Sequence, residues 1–202
     1  MVAGVVLAGG AGRRMGGLDK AALRVGGVTL LDRVLSAAEP VCDRLVVVGP
    51  ARPTEVRGVE FVSEAEPGGG PVPAVLAGVD SSPGCEVVLV LAVDLPLLTT
   101  GHLRLLFDAL GPEGNDAAAA ADVDGPNPLL AVYRVPALAS RVAAFGLAAG
   151  SPARGLLPAS PVIVDLGPAI LNVNRPADLI AAEAADTALR TWGDRHRQGG
   201  VG

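Results

Sequence analysis

The 202-residue sequence predicts an α/β fold: one doubly wound, mostly parallel sheet with helices on both faces. Three observations carry this. Short, wholly apolar runs such as "VAGVVLA" (2–8) and "VVLVLAV" (87–93) have the continuous hydrophobicity of strands buried on both faces. They alternate with stretches of helical periodicity. The chain also breaks into turn or polar residues just past its strand ends, at the loop after residue 8, at Gly49-Pro50, at Ser63-Glu64 and at Asp94. In such sheets ligands bind beyond the carboxyl ends of the strands, so these four ends define one crevice.

Taken in order, residues 2–8 form the first strand. "TLLDRVLSAAEP" (29–40) has apolar positions at helical spacing, Thr29 and Asp32 resemble a capping box, and Pro40 ends the helix. "RLVVVG" (44–49) and "VEFVS" (59–63) read as strands, and Pro71 opens a helix over 71–82. The strand at 86–94 is the strongest in the chain. A helix over 99–111 follows, with Thr99 at its start and Gly111 at its stop. "DAAAAAD" (116–122) is rich in a helix former, but only seven residues lie between turn signals, which favours a strand. Strands over 129–135 and 161–166, a helix over 137–146 and a closing helix over 176–190 complete the domain, 1–190. Residues 191–202 are polar and glycine-rich and read as a flexible tail.

Composition excludes several roles. Half the residues are hydrophobic, enough for a sizeable core, and the net charge is −5. An acidic chain is poorly suited to nucleic acid, whose binding requires cations against phosphates. Aromatics at 2% leave no stacking platform for single strands. The two cysteines, Cys42 and Cys85, make no CxxC pair and read as reduced core residues. No segment reaches the roughly 18 apolar residues of a membrane span, and the N-terminus lacks the order of a signal peptide. A cytoplasmic protein is expected.

The segment "VVLAGGAGRRMGGLDKAALRVGG" (5–27) gathers glycines and the cations Arg13, Arg14 and Lys20 after the first strand. Glycines let a loop turn sharply and bring backbone N–H groups against phosphate oxygens. Walker A fails, because Lys20 is followed by Ala21 and preceded by Asp19. The dinucleotide fingerprint fails too, because Gly10, Gly12 and Gly16 are spaced GxGxxxG and no acidic residue ends the second strand.

What remains, LAGG-x-x-R-R-M-G-x-x-D-K, resembles the nucleotidyltransferase family of molybdenum cofactor guanylyltransferases. "SEAEPGGGPVPAVLAGV" (63–79), "AVDLPLL" (92–98) and "LNVNRPADL" (171–179) resemble its later blocks in order. The resemblance spans about residues 2–180 and implies a Rossmann-like nucleotidyltransferase fold. It implies GMP transfer from GTP to molybdopterin-bound molybdenum, with release of pyrophosphate. Leu7, Ala8, Gly9, Gly10, Lys20, Glu64 and Asp94 would bind nucleotide, and Arg14, Lys20 and Asp94 would act in catalysis. Asp94 would hold Mg2+, and Asn127 and Asn174 would meet the pterin. Which of Arg13 and Arg14 faces the phosphates stays open, and Met15 reads as packing under the loop.

The chemistry suits these residues. An acceptor phosphate with a second pKa of about 6 is largely anionic at pH 7, so no protein base is needed. Positioning and charge neutralisation carry such a transfer. Partners would be the two small-molecule substrates, with transient contact to enzymes that make or accept the cofactor; a monomer or weak homo-oligomer is expected.

Some residues have structural alternatives. The alternative for Asp94 is a helix or turn cap, for Asn172 and Asn174 turn residues bonding their own backbone, and Asp165 reads as an end-of-strand turn residue. The chain also departs from the family pattern. Glu64 stands where an aspartate is usual, Gly49 where a polar side chain is common, and "PVPA" (71–74) where "PLAG" is usual. Arg175 replaces a threonine, so the last helix is expected to lose a cap worth about 1 kcal/mol. Rival readings are cytidylyl transfer to the same pterin, transfer to a sugar phosphate, and a nucleotide-binding partner without turnover. Cytidylyl members tend to carry alanine where Gly9 stands, which favours GTP.

Overall fold

The computed structural model describes residues 1–9, 18–64, 68–112 and 114–198, with side chains through Thr191. Seven strands form one sheet: β1 (Val2–Leu7), β4 (Arg44–Val48), β5 (Val59–Val62), β6 (Val87–Ala92), β7 (Ala117–Asp122), β8 (Gly125–Arg134) and β9 (Val162–Val164). Their spatial order is β5-β4-β1-β6-β8-β7-β9. Every neighbouring pair is parallel except the two made by β8. The chain winds outward from β1 through β4 to β5, then crosses back to β6 on the other side of β1. The crevice between β1 and β6 is therefore the point where the winding reverses, the usual place for a ligand.

Among the described residues, four helices cover the sheet, α1 (Leu30–Ala38), α2 (Pro71–Asp80), α3 (Thr100–Leu110) and α4 (Val135–Phe145), and a fifth, α5 (Pro176–Gln198), packs against Val25 and Leu30. One apolar layer joins Val6, Val47, Leu89, Leu91 and Leu130 to Leu31 and Leu35 of α1 and Leu103 and Leu106 of α3. The opposite layer joins Val5, Val46, Val88 and Val90 to Val72 and Val75 of α2 and Leu138 of α4. Adjacent residues of each strand thus enter opposite layers, as the period of two requires. Each buried leucine or valine contributes about 1.5–3 kcal/mol to this core.

The alanine run is a strand, as expected. Ala117 to Ala120 are all at most 1% exposed, flanked by β8 and β9 in the sheet. Burial on both faces and a full hydrogen-bond ladder outweigh a helix preference worth a few tenths of a kcal/mol per residue. Thr29 caps α1 by accepting from Asp32 N at 3.0 Å. Thr99 caps α3, where His102 Nδ1 accepts in return from Thr99 N at 3.2 Å. Burial lowers the His102 pKa, which keeps this imidazole a neutral acceptor near pH 7. Burial, with Asp43 and Cys85 nearby, pushes the Cys42 thiol up to about 12. Both cysteines are free thiols.

Three features differ from the sequence reading. A small antiparallel hairpin, β2 (Arg24–Val25) and β3 (Val28–Thr29), precedes α1. Strand β8 begins at Gly125 rather than 129, because its first residues still pair with the end of β7. The closing helix continues through Gln198, where a loose tail from 191 was expected; the last four residues lie outside the described ones. Helix α5 gains its anchorage from tertiary contacts. Arg33 Nη2 donates to Asp186 Oδ1 at 2.8 Å, and Gly26 N to Glu183 Oε2 at 3.0 Å.

Helix α2 lies so close to β1 that a Cβ on Gly78 would meet Val5 Cγ1 at 2.3 Å. Gly78→Ala improves helix propensity by about 1 kcal/mol but overpacks this contact. Urea denaturation should show a net loss of about 1–3 kcal/mol; a stabilised variant would mean that the two layers give way freely.

Candidate active site

Lys20 opens a short 3-10 turn, Lys20–Ala22, whose start is capped by Asp19 accepting from Ala21 N at 3.1 Å. Its ammonium donates to Asp94 Oδ2 at 2.9 Å and to Asn174 Oδ1 at 2.7 Å. The partners are 74 and 154 residues away in sequence, so three distant segments meet on one nitrogen. The Lys20 and Asp94 side chains are 18% and 16% exposed, which screens their attraction less than that of a surface pair. Backbone bonds fix the setting: Val93 N donates to Leu7 O at 3.2 Å, and Val173 N to Asp94 O at 2.9 Å.

The second carboxylate oxygen, Asp94 Oδ1, is buried and has no hydrogen-bond partner among the described residues. Glu64 Oε2, just beyond the end of β5, is in the same condition. Leaving such an atom unsatisfied costs about 1–3 kcal/mol, so each is a place for a ligand donor or cation. Glu64 Oε1 lies 3.3 Å from where a Cβ on Gly9 would stand; Glu64 thus faces the end of β1. Gly49 (φ +146°) is held so close to Ala8 and Gly9 that a Cβ would lie 2.9 Å from their backbone atoms. The polar side chain common at this position has no room here.

The described residues contain no group of three or more His, Cys, Asp or Glu that could hold a metal. Magnesium commonly takes one or two carboxylates and completes its shell with phosphate and water. The unpartnered Asp94 Oδ1 fits that ligand set.

Of the remaining candidates, Leu7 ends β1, and Ala8 and Gly9 follow it into the crevice. Gly10, Arg13, Arg14 and Met15 lie outside the described residues. Asn174 joins the Lys20 cluster. Asn172 Nδ2 instead donates to Ile170 O at 3.0 Å, the turn role. Asp165 Oδ1 accepts from Gly167 N at 2.8 Å, again a turn role. Asn127 is engaged within its own hairpin, donating to Asp122 Oδ2 at 3.1 Å and accepting from Leu129 N at 2.9 Å. It lies on β8 at the same sheet end as Asp94, with no hydrogen bond to the Lys20 cluster. The cap expected to be lost at Arg175 is replaced: Asp178 Oδ2 accepts from Asn174 N at 2.9 Å and Arg175 N at 2.7 Å. One carboxylate therefore starts α5 and holds the Asn174 backbone.

Arg52 and the contacts of Asp32 beyond its own helix escaped the sequence reading. Arg52 donates to Asp19 Oδ2 at 2.6 Å and to Ala8 O at 3.2 Å; the only signal was a cation three residues past a strand end. Asp32 is 8% exposed. Beyond its helix cap, Asp32 Oδ1 accepts from Thr54 Oγ1 at 2.7 Å and Glu55 N at 3.0 Å. A cavity of about 270 Å³ between Asp124, Arg141 and Arg154 lies elsewhere and is lined by none of the site residues.

A sheet crevice at the winding reversal, a shared lysine and two carboxylate oxygens unpartnered among the described residues make this the candidate site of an α/β protein. The family model described as MobA-like NTP transferase domain matches residues 4–160. A Chloroflexus aggregans protein named probable molybdenum cofactor guanylyltransferase is 32% identical over 202 residues, 91% of this chain and 94% of its own. A Cereibacter sphaeroides protein named molybdenum cofactor guanylyltransferase is 33% identical, covering 90% and 95%. A Nitrobacter hamburgensis protein of that name matches at 33% over 65% of this chain and 66% of its own length.

Among solved structures, molybdopterin-guanine dinucleotide biosynthesis protein A from Archaeoglobus fulgidus superposes with TM-score 0.69, 24% identity, and 92% and 99% of the two chains covered. A Thermus thermophilus 2-C-methyl-D-erythritol 4-phosphate cytidylyltransferase gives 0.63, 22%, 92% and 98%. The chain belongs to the MobA-like NTP transferase family, and it is a nucleotidyltransferase.

Burial of Asp32 works to raise its pKa, but hydrogen bonds from Thr29, Thr54 and Glu55 and the charge of Arg24 outweigh it, and the pKa is lowered from 3.8. A lowered folded-state pKa contributes stability that is present above the unfolded value and lost as pH falls through the folded one. The stability gap between wild type and Asp32→Asn should thus be constant above about pH 5 and narrow below about pH 4. Chemical denaturation across pH 2.5–7 checks this; a gap independent of acid would mean that the carboxylate charge adds nothing.

Proposed function

We propose that the protein transfers GMP from GTP to molybdopterin-bound molybdenum and releases pyrophosphate. The observation that carries this reading is the Lys20 ammonium shared by Asp94 and Asn174, beside a buried Asp94 oxygen with no partner. The names of the relatives support the guanylyl assignment.

In this reading, Gly9, Gly10 and the backbone from Leu7 onward hold the nucleotide. Lys20 and Arg14 neutralise phosphate charge. Guanine presents adjacent N1–H and N2–H donors, and the unpartnered Glu64 carboxylate is a matching acceptor at the end of β5. Gly9 matters here because any side chain would press on Glu64. Asp94 would hold magnesium through Oδ1, where the metal would offset charge on the phosphates. Asn174 aims Lys20 from the acceptor side, and Asn127 stands farther along the same sheet end to meet the pterin. The acceptor phosphate is already anionic and needs no protein base. Among the described residues no helix is long and apolar enough to cross a membrane; we assign the enzyme to the cytoplasm, as a monomer or weak homo-oligomer.

GTP should bind at least several-fold more tightly than CTP. Titration calorimetry with both decides the base, and tighter CTP binding would transfer the chain to the cytidylyl reading.

Lys20→Ala should lower kcat by roughly a hundredfold or more, the scale of losing one preorganised charge donor. Asp94→Asn keeps the side-chain volume, so the melting temperature should stay within a few degrees. Magnesium-dependent pyrophosphate release should nearly vanish, while metal-free GTP binding is unchanged or tighter. Normal turnover in Asp94→Asn would make the carboxylate a structural cap.

A further inference from the structure

We propose that Arg52 is a positioning residue for nucleotidyl transfer: its guanidinium clasps the start and the end of the glycine segment and thereby aims Lys20. The proposal rests on the nucleotide-site reading above. The start of the segment is Ala8, whose carbonyl accepts from Arg52 Nη2 at 3.2 Å. The end is Asp19, whose carboxylate accepts Nε at 2.6 Å on Oδ2 and Nη2 at 2.9 Å on Oδ1. Nη1 donates to Pro50 O at 2.8 Å.

Four of the five guanidinium N–H groups are thus engaged, and the side chain is 16% exposed. Little donor capacity remains for a substrate phosphate. Arg52 therefore acts through Asp19. The same Asp19 Oδ1 caps the turn that presents Lys20. The line of force runs Arg52, Asp19, Lys20, and ends on Asp94 and Asn174.

The clasp is itself anchored. Thr54 and Glu55, two and three residues beyond Arg52, donate to the buried Asp32 at the start of α1. The loop bearing Arg52 is therefore fixed to a helix terminus. Tying residues 8 and 19 to one rigid group removes part of the ordering cost that nucleotide binding would otherwise bear. A lysine cannot substitute: one ammonium cannot form the two-pronged contact with Asp19 and reach the Ala8 carbonyl as well.

The test uses the full chain and four proteins: wild type, Arg52→Ala, Arg52→Lys and Asp19→Asn. Calorimetry with inorganic tripolyphosphate and with GTP gives binding, pyrophosphate release gives kcat, and thermal melting gives fold integrity. Both Arg52 variants should bind tripolyphosphate and GTP roughly tenfold more weakly and lose about tenfold or more in kcat, as small misplacements do. Asp19→Asn should show a defect of the same kind, and adding Arg52→Ala to it should cost little more.

Wild-type binding and turnover in Arg52→Lys would overturn the clasp, whether or not Arg52→Ala folds, because charge alone would then suffice. Fully additive defects in the double variant would overturn the Arg52–Asp19–Lys20 line. Wild-type protein that binds neither tripolyphosphate nor GTP would overturn the nucleotide-site reading and the proposal with it, a result distinct from intact binding in the variants.

Discussion

The site depends on one nitrogen. Among the described residues, Lys20 Nζ joins the segment after β1, the segment after β6 and the segment before α5 through side chains. Without it, the Asp94 carboxylate, 16% exposed, would lose its one countercharge among the described residues. With it, Asp94 still has an oxygen with no hydrogen-bond donor among the described residues. Among the described residues, one carboxylate oxygen is thus compensated and the other is not. Such a half-satisfied buried group is a local violation of hydrogen-bond accounting, and these violations concentrate where function requires them.

The same logic separates the two sides of the crevice. Over β1, β4 and β5 the backbone ends approach so closely that Gly49 is required, a Cβ on Gly9 would press on the Glu64 carboxylate, and Glu64 is the polar side chain that faces the gap. Over β6 and β8 the room is occupied by Asp94, Asn174 and the β7–β8 hairpin with Asn127. A group held on the first side would meet a group held on the second across Lys20 and Asp94, which is the geometry a transfer between two bound molecules requires.

Much of this was legible in the sequence, for identifiable reasons. Apolar runs located the central strands, since a strand buried on both faces has no alternative composition. The position of Asp94 followed from a strand ending in a carboxylate before proline. The polyalanine strand was legible only through its short spacing. The misses have different causes. The β2–β3 hairpin has two-residue strands, too short for periodicity to register. Helix α5 extends past 190 on a polar segment. The Arg52–Asp19 pair spans 33 residues, and neither residue belongs to a pattern that announces the other. Asp178 is instructive because its replacement of a missing threonine cap lies three residues downstream, within reach of a capping-box reading that looked only at the first position.

The distribution of these contacts along the chain also constrains when the site can form. The loop after β1 and the end of β6 are brought together by the sheet, through the β1–β6 pairing. Asn174 is not on the sheet. It is placed by Val173 bonding to the Asp94 carbonyl, by Asp178 holding its backbone, and by the packing of Val173 and Ala182 against Val25 and Leu30. Arg33 reinforces that docking from both sides, donating to Pro96 O at 3.0 Å and to Asp186 Oδ1 at 2.8 Å. The second partner of Lys20 therefore arrives only when the end of the chain packs onto its beginning. Contacts of such sequence separation carry the largest loop-closure cost, and destabilising the α5 docking should open the Asn174 side of the crevice before it disturbs the sheet.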